Sequence, residues 1–302
     1  MTMIRVDNVK KSFAGTDAVR GVSFVVEPGE LFGVLGPNGA GKTTTIRMIL
    51  DILRPDSGTI EVLGGPINEE KKNRIGYLPE ERGLYRNLKV LDCMIYLATL
   101  KGIERGEAKK RSLAYLERVQ LAEVANKKVS ELSRGMQQKV QFGTTIIHEP
   151  EIVIVDEPFA ALDPVNTRMV KDLLFDIRRS GRAVLMCTHQ MHLVEEMCDR
   201  LVMFNRGEIV LNGSLKEVKR RFAPNAVLVE GTGDFSDLPG VISVQNHNGS
   251  QQLNLAAGVV PQSLLHVLTQ RPDIVLDRFE VAMPSLDDIF VRVAGGERGS
   301  DA

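Results

Sequence analysis

The chain opens on short apolar runs separated by turn signals: MIRVDNV, then VSFVV closed by Glu27-Pro28-Gly29, then LFGVLG running straight into a glycine-rich loop. Runs of this length between turn residues predict strands. From Thr43 the period lengthens to that of a helix, with Ile46, Ile49, Leu50 and Leu53 on one face until Pro55-Asp56-Ser57-Gly58 stops it. Strand, loop and helix thus follow one another directly. From about Leu88 to Ile147 the periodicity is almost wholly helical, as Leu113, Leu116, Val119 and Leu121 illustrate, which predicts a helical insert within an otherwise α/β unit. Strand patterns return at IVIVDEP, at AVLMCTH and at RLVMFNRGEIVLNG.

After Phe222 the texture changes. Ala223-Pro224-Asn225 reads as a linker, AVLVE, ISVQN and QLNL as strands, and His247-Asn248-Gly249-Ser250 as a hairpin turn. A helix from Gln262 to Thr269, a strand around IVLDRFEV and a helix from Ser285 to Val293 complete the pattern. Ser285 suits an N-cap, and Asp287 and Asp288 suit a first helical turn. The expectation is a first domain over residues 1–221 and a small α+β domain over residues 225–302, ending in the solvated tail GGERGSDA.

Gly36-Pro37-Asn38-Gly39-Ala40-Gly41-Lys42-Thr43 fits G-x-x-x-x-G-K-[ST] at every fixed position, between a predicted strand and a predicted helix as that motif requires. Its glycines let successive backbone N–H groups close round phosphate oxygens, and the helix N-terminus adds its positive end. Lys42 can reach the β and γ phosphates, Thr43 offers a hydroxyl to magnesium, and Thr44 continues the first turn. The second half of such a site is an apolar strand ending in a carboxylate. Ile152-Val153-Ile154-Val155-Asp156-Glu157 supplies it, with Asp156 suited to a magnesium shell and Glu157 to a base that polarises an attacking water.

Composition narrows the partners. At 302 residues the length fits about two domains, and 43% hydrophobic with 25% charged residues argues against wholesale disorder or a fibrous repeat. Lys and Arg total 38 against 39 Asp and Glu, a net charge of -1, so no chain-wide basic field draws in nucleic acid or an anionic membrane. The longest uncharged stretch, Asn254 to Gln270, carries Gly258, Pro261, Gln262 and His266 and does not suit a membrane span. The start MTMIRVDNVKK lacks the apolar block of a secretory signal, so the chain is expected to stay in the cytoplasm. Cys93, Cys187 and Cys198 show no CxxC spacing and read as buried thiols. His189 and His192, with Glu195 and Glu196, could be drawn as a metal cluster, but the first histidine belongs at a strand end and the second inside the next helix. Lys71-Lys72-Asn73-Arg74 and Lys219-Arg220-Arg221 read as solvated faces, and Met186, Met191 and Met197 as core filling.

Over about residues 3 to 221 these features resemble the ATP-binding cassette family, the nucleotide-hydrolysing half of ABC transporters. The resemblance adds Leu132-Ser133-Arg134-Gly135-Met136-Gln137-Gln138, similar to the family's signature segment, whose Ser and second Gly (here Ser133 and Gly135) touch the γ-phosphate held by the opposite subunit. Ala161-Leu162-Asp163 resembles the loop crossing the dimer interface, His189 the switch histidine beside the γ-phosphate, and Phe13 the aromatic on which adenine stacks. Arg134 stands where Gly is usual, Met136 where Gln is usual, Ala160 in place of Ser, and Glu80 in GYLPE in place of the Gln that links magnesium and water to the permease; Glu80 still offers a metal oxygen. Pro284-Ser285-Leu286-Asp287-Asp288-Ile289-Phe290 is similar to the closing segment of cassettes serving bacterial exporters of the sodium, drug and antibiotic type.

What the resemblance implies is an α/β fold: a P-loop NTPase (RecA-like) core with a β-rich N-terminal part and a helical insert, plus the small α+β C-terminal domain. It implies ATP and Mg²⁺ as ligands, an ATPase driving a separate transmembrane permease, and a second cassette chain, identical or different, as dimer partner. The site is then catalytic at Glu157 and His189, with Thr43, Glu80 and Asp156 on the metal and Phe13, residues 36–44, Ser133, Gly135 and Asp163 on the nucleotide. Such a chain sits in the cytoplasm, peripheral on the inner face of the membrane through its permease. A soluble cassette acting on ribosomes or DNA is the alternative, but those relatives carry two cassettes or long coiled coils, whereas this chain has one P-loop, no sustained heptads and no basic surplus.

Overall fold

A computed structural model of the chain describes residues 2–81, 83–160, 162–247 and 249–296. Ala161 of the expected interface loop, Asn248 of the expected hairpin turn and the tail from Glu297 lie outside the described residues. The chain divides into two compact units, Met1–Leu215 and Lys216–Ala302.

The first unit begins with a long hairpin, β1 (Ile4–Phe13) and β2 (Thr16–Val26). Next come β3 (Leu31–Leu35), α1 (Lys42–Ile49), β4 (Ser57–Val62), α2 (Glu69–Asn73) and β5 (Ile75–Leu78). The expected helical insert consists of α3 (Val90–Leu100), α4 (Arg105–Arg118) and α5 (Arg134–Ile146). The chain then alternates through β6 (Ile152–Asp156), α6 (Pro164–Arg179), β7 (Ala183–Thr188) and α7 (Met191–Met197), and closes with the hairpin β8 (Arg200–Asn205) and β9 (Glu208–Ser214).

Six strands form one sheet in the order β5-β6-β7-β3-β8-β9, parallel except for β9, and β2-β1-β4 form a separate antiparallel sheet. Every residue of β3, β6 and β7 is buried, as expected of parallel strands covered on both faces. One core continues from the antiparallel sheet (Val6, Val22, Phe24) through Ile46 and Ile49 of α1 to Phe32, Ile154, Leu185 and Phe204 of the large sheet. In the sheet β7 lies between β3 and β6. The C-terminal ends of β3, β7 and β6 therefore stand side by side, and each carries a piece of the candidate site.

Helix α1 is shorter than the apolar period predicts. It ends at Ile49, Asp51 turns in the left-handed region, and Leu53 packs on the core from beyond the helix, its N–H donating to the Arg47 carbonyl. The period persists because the turn still faces the core. Helix α5 starts on Ser133, whose Oγ accepts from Met136 N, and α6 starts on Asp163, whose side chain accepts from Asn166 N, with Pro164 first in the helix.

The second unit holds α8 (Leu215–Arg221, its first residue in the first unit), β10 (Ala226–Thr232), β11 (Val241–His247), β12 (Ser250–Leu255), α9 (Pro261–Gln270), β13 (Val275–Val281) and α10 (Leu286–Ala294). Its four strands form an antiparallel sheet in the order β11-β12-β10-β13. Val227, Val229, Leu253 and Leu255 pack with Leu264 and Leu268 of α9 into a core of its own. Ser285 and Asp288 cap α10 reciprocally.

Candidate active site

The glycine-rich loop between β3 and α1 is shaped by what presses on it. Gly36 has φ +145°, and a Cβ there would lie 2.3 Å from the Phe204 carbonyl oxygen. Gly41 has φ +104°, and its Cβ would lie 2.5 Å from the Ala18 carbonyl oxygen. Both positions therefore require glycine. The turn between β8 and β9 ties the loop down, with Gly207 N donating to Ala40 O at 3.0 Å and Arg20 N to Gly207 O at 2.8 Å. Lys42 is buried, and its Nζ donates to the loop's own carbonyls, Gly36 O at 2.7 Å and Pro37 O at 3.0 Å. Its charge is thus held where the loop's N–H groups gather.

Across from the loop, the Thr43 hydroxyl donates to Asp156 Oδ2 at 3.1 Å. Asp156 is buried, and that burial raises its carboxyl above the usual carboxylate range; donors from Cys187 and Thr43 pull it down, and the Glu157 charge beside it pushes it up. Glu157 follows in the left-handed region at φ +48°, its N–H donating to Cys187 O at 2.9 Å. Its carboxylate accepts from Thr188 Oγ1 at 2.9 Å and from His189 N at 2.9 Å, and lies 2.7 Å from His189 Nδ1. Two adjacent buried carboxylates with one Thr hydroxyl, opposite a cradle of N–H groups, form an oxygen-rich site suited to a hard divalent cation and a polyphosphate.

An open cleft of about 310 Å³ contains these groups. Ala18, residues 38–44, Glu80, Asp156 and Glu157 line it. Of the expected site residues, the structure therefore gathers Asn38, Gly39, Ala40, Gly41, Lys42, Thr43, Thr44, Glu80, Asp156 and Glu157 in one place, with His189 hydrogen-bonded to Glu157 at its edge. Phe13 is not among the lining residues; it stands exposed at the end of β1, next to the hairpin turn, with Lys11 Nζ 5.4 Å from its ring centroid. Ser133, Gly135 and Asp163 also stand apart from the cleft, at the N-termini of α5 and α6, where a Cβ on Gly135 would lie 3.0 Å from Asn166 Nδ2. Asn166 holds the Asp163 carboxylate through its backbone N–H at 2.9 Å and its side chain at 2.5 Å, which keeps that carboxyl below its ordinary value.

Sequence reading did not single out Ala18, Cys187 as a donor to Asp156, or Thr188. Cys187 and Asp156 are register partners in adjacent parallel strands, a relation that sequence spacing alone does not disclose. Thr188 carried a weak signal, since it precedes His189 at the end of an apolar strand.

A second hollow of about 310 Å³ opens beside the segment that carries Glu80, between β5 and helices α3 and α5. Tyr77, Pro79, Leu84, Leu97, Leu100 and His148 are among its lining residues. Tyr85, Tyr96 and Leu100 stand exposed, the two tyrosine rings in an edge contact with centroids 5.4 Å apart. Burial lowers His148 to about 4, and its Nε2 contacts Ile75 O at 3.2 Å.

The ABC transporter family profile matches residues 19–160, and the profile described as ATP-binding protein DrrA1-3-like, C-terminal domain matches residues 213–294. Over 296 residues the chain is 41% identical to the ABC transporter ATP-binding protein YhaQ of Bacillus subtilis (strain 168), covering 97% of this chain and 99% of that protein. It is 33% identical to the linearmycin resistance ATP-binding protein LnrL of the same organism, over 97% of this chain and 98% of that one. With the Nod factor export ATP-binding protein I of Paraburkholderia xenovorans (strain LB400) it shares 32% identity over 97% of each chain. Among solved structures, an ATP binding subunit of an ABC transporter superposes with a TM-score of 0.68 at 28% identity, over 73% of this chain and 93% of that one. The structure of cbiO1 from Clostridium perfringens, part of the ABC transporter complex cbiONQ, gives a TM-score of 0.64 at 27% identity, over 72% and 90%.

Proposed function

The chain belongs to the family of ABC transporter ATP-binding proteins, the ATP-hydrolysing subunits of these transporters, and from that premise we propose that it powers a membrane exporter by closing with a second cassette around ATP. The observation that carries the catalytic part is the facing of the glycine loop by Asp156 and Glu157, with Thr43 and Asp156 already in contact at 3.1 Å. Export is supported by the relatives named for linearmycin resistance and Nod factor export, and by the DrrA-like C-terminal match over residues 213–294.

In this reading the residues divide the work as follows. Lys42 exchanges its bonds to Gly36 O and Pro37 O for the β and γ phosphates, while the backbone from Gly36 to Thr44 cradles them. Thr43, Asp156 and Glu80 would hold Mg²⁺, which their hard oxygen donors fit: all three line the one cleft, with the Thr43 hydroxyl 3.1 Å from Asp156 Oδ2. When bound, Mg²⁺ neutralises charge developing on the phosphoryl oxygens. Glu157 accepts a proton from the attacking water, and His189 keeps its carboxylate in place. Phe13 stacks on adenine. Ser133 and Gly135, which stand apart from this chain's own cleft, serve the γ-phosphate held by the second cassette, identical or different, and Asp163 lies in the loop that crosses between the two, so that ATP joins them.

No helix among the described residues is long and apolar enough to cross a membrane, so transport needs a partner that does. The hollow lined by Tyr77, Leu97 and Leu100, with the exposed Tyr85 and Tyr96, lies next to the Glu80 segment and suits an apolar segment of a permease on the cytoplasmic side of the membrane. The near-neutral net charge of -1 gives no support to a nucleic-acid partner. The test is affinity purification of the full chain from detergent-solubilised membranes, with Mg²⁺-dependent ATP turnover measured on what is recovered. A polytopic membrane protein recovered with the ATPase supports the reading; recovery with ribosomes or DNA alone overturns it.

A further inference from the structure

Glu157 is held almost entirely by the end of one neighbouring strand. Its backbone N–H donates to Cys187 O, and its carboxylate receives Thr188 Oγ1 on one oxygen and both the N–H and the ring nitrogen of His189 on the other. Among these side chains Thr188 is fully buried at 0% exposure, whereas the His189 side chain is about half exposed at 53%. The direction of the Thr188 hydroxyl is set from behind, because Gln190 N donates to the same Oγ1 at 3.1 Å. With that lone pair taken, the hydroxyl hydrogen points to Glu157 Oε2 at 2.9 Å.

We propose that Thr188 is a positioning residue for ATP hydrolysis, which orients the Glu157 carboxylate by a buried hydrogen bond to Oε2. This rests on the reading of Glu157 as the base that takes the proton of the attacking water. Glu157 has its backbone in the left-handed region at φ +48°, so its side chain leaves the strand end at an angle that β6 alone does not dictate. A carboxylate held on one oxygen by His189 alone can pivot about that contact. The second bond, on the other oxygen and from a buried group, fixes the plane of the carboxylate, and a displacement of the base by about 1 Å costs on the order of 10²-fold in rate.

The test compares Thr188→Val, Thr188→Ser and Glu157→Gln in the full chain, by kcat and KM for ATP hydrolysis and by calorimetric ATP affinity. We expect Thr188→Val to keep ATP affinity within about threefold while kcat falls roughly 10–100-fold. Thr188→Ser, which keeps the hydroxyl, returns kcat to within about threefold of the parent, and Thr188→Val adds less than about twofold to the deficit of Glu157→Gln. The inference is overturned if Thr188→Val keeps the parental kcat, if Thr188→Ser is as slow as Thr188→Val, or if Thr188→Val slows the Glu157→Gln background as much as it slows the parent. A Glu157→Gln protein that turns over at the parental rate removes the reading of Glu157 and this inference with it; a slow Glu157→Gln beside a fast Thr188→Val removes this inference alone. Should Thr188→Val not fold, Thr188→Ala takes its place and its outcomes are read in the same way.

Discussion

Replacing Glu157 by Gln separates chemistry from structure, because most of the hydrogen bonds around the side chain can survive the change. The Gln oxygen can face His189 and keep the 2.9 Å bond from its N–H, while the new amide faces Thr188 Oγ1 and turns that hydroxyl from donor to acceptor. One neutral hydrogen bond is at stake, worth about 1 kcal/mol, which for a unit of this size lowers Tm by roughly 2–4 °C. On the proposed role of Glu157 the hydrolytic step loses its base, a deficit of roughly 10²–10⁴-fold, or about 2.7–5.4 kcal/mol of barrier. Phosphate release at saturating MgATP reads the rate, calorimetry reads the affinity, and size-exclusion chromatography with light scattering reads the mass with and without nucleotide. The expected protein is folded, binds ATP within about twofold of the parent, turns over slowly and doubles its mass when ATP is present. A variant that hydrolyses at the parental rate refutes Glu157 as the base. One that is slow and binds ATP yet stays monomeric refutes the shared site of Ser133 and Gly135 on a second copy's phosphate.

Lys42→Ala removes a buried ammonium that now bonds Gly36 O and Pro37 O and that the proposed function turns to the phosphates; ATP affinity by calorimetry falls by roughly 10²-fold, and an unchanged affinity overturns the loop as the ATP cradle. Gly36→Ala drives a Cβ to 2.3 Å from Phe204 O in a backbone region closed to alanine, so it lowers stability by roughly 1–3 kcal/mol and weakens nucleotide binding; a parental Tm by calorimetry refutes the packing argument. His148 sits near 4 in the folded chain against 6.5 when free, so the neutral ring favours the folded state above pH 6.5, and that advantage fades as the pH falls towards 4. Between pH 7.5 and 5 it accounts for about 2 kcal/mol of lost stability. Urea unfolding at the two pH values therefore shows a smaller acid loss for His148→Gln, and an identical loss in both proteins refutes the assignment.

Much of the architecture was legible because its signals are local. The glycine loop stands between a buried strand and a helix, as the G-x-x-x-x-G-K-[ST] spacing requires, and the helical period from Leu88 to Ile147 corresponds to α3, α4 and α5. Where local rules gave out, tertiary contact decided. The apolar period that continues to Leu53 belongs to a turn packed on the core, not to a longer helix. The strand VSFVV is the second half of an 11-residue β2, whose first half hides its pattern behind Arg20 and Gly21, where the pairing with β1 slips. The carboxylates, the loop and Thr43 announced themselves by residue type. Thr188 and Cys187 did not, since an apolar strand ending in Cys-Thr looks like any buried strand until its register with β6 sets Cys187 beside Asp156.

The strand order explains why these residues meet. With β7 between β3 and β6, its C-terminal end is adjacent both to the glycine loop and to the two carboxylates, so Cys187, Thr188 and His189 can address them without any excursion of the chain. The helix starts at Ser133 and Asp163 are served differently. Each caps its own helix, Ser133 through Met136 N and Asp163 through Asn166 N, so these side chains are spoken for locally although both residues are exposed. Arg134, on the surface in the first turn of α5, adds a cation next to Ser133. A capped helix start with an exposed cation favours an anion, and these groups do not line this chain's own cleft. In the proposed pairing a second cassette presents them with such a cleft, and that is why the mass of the Glu157→Gln protein in the presence of ATP, more than its rate, decides between a cassette that works alone and one that works in pairs.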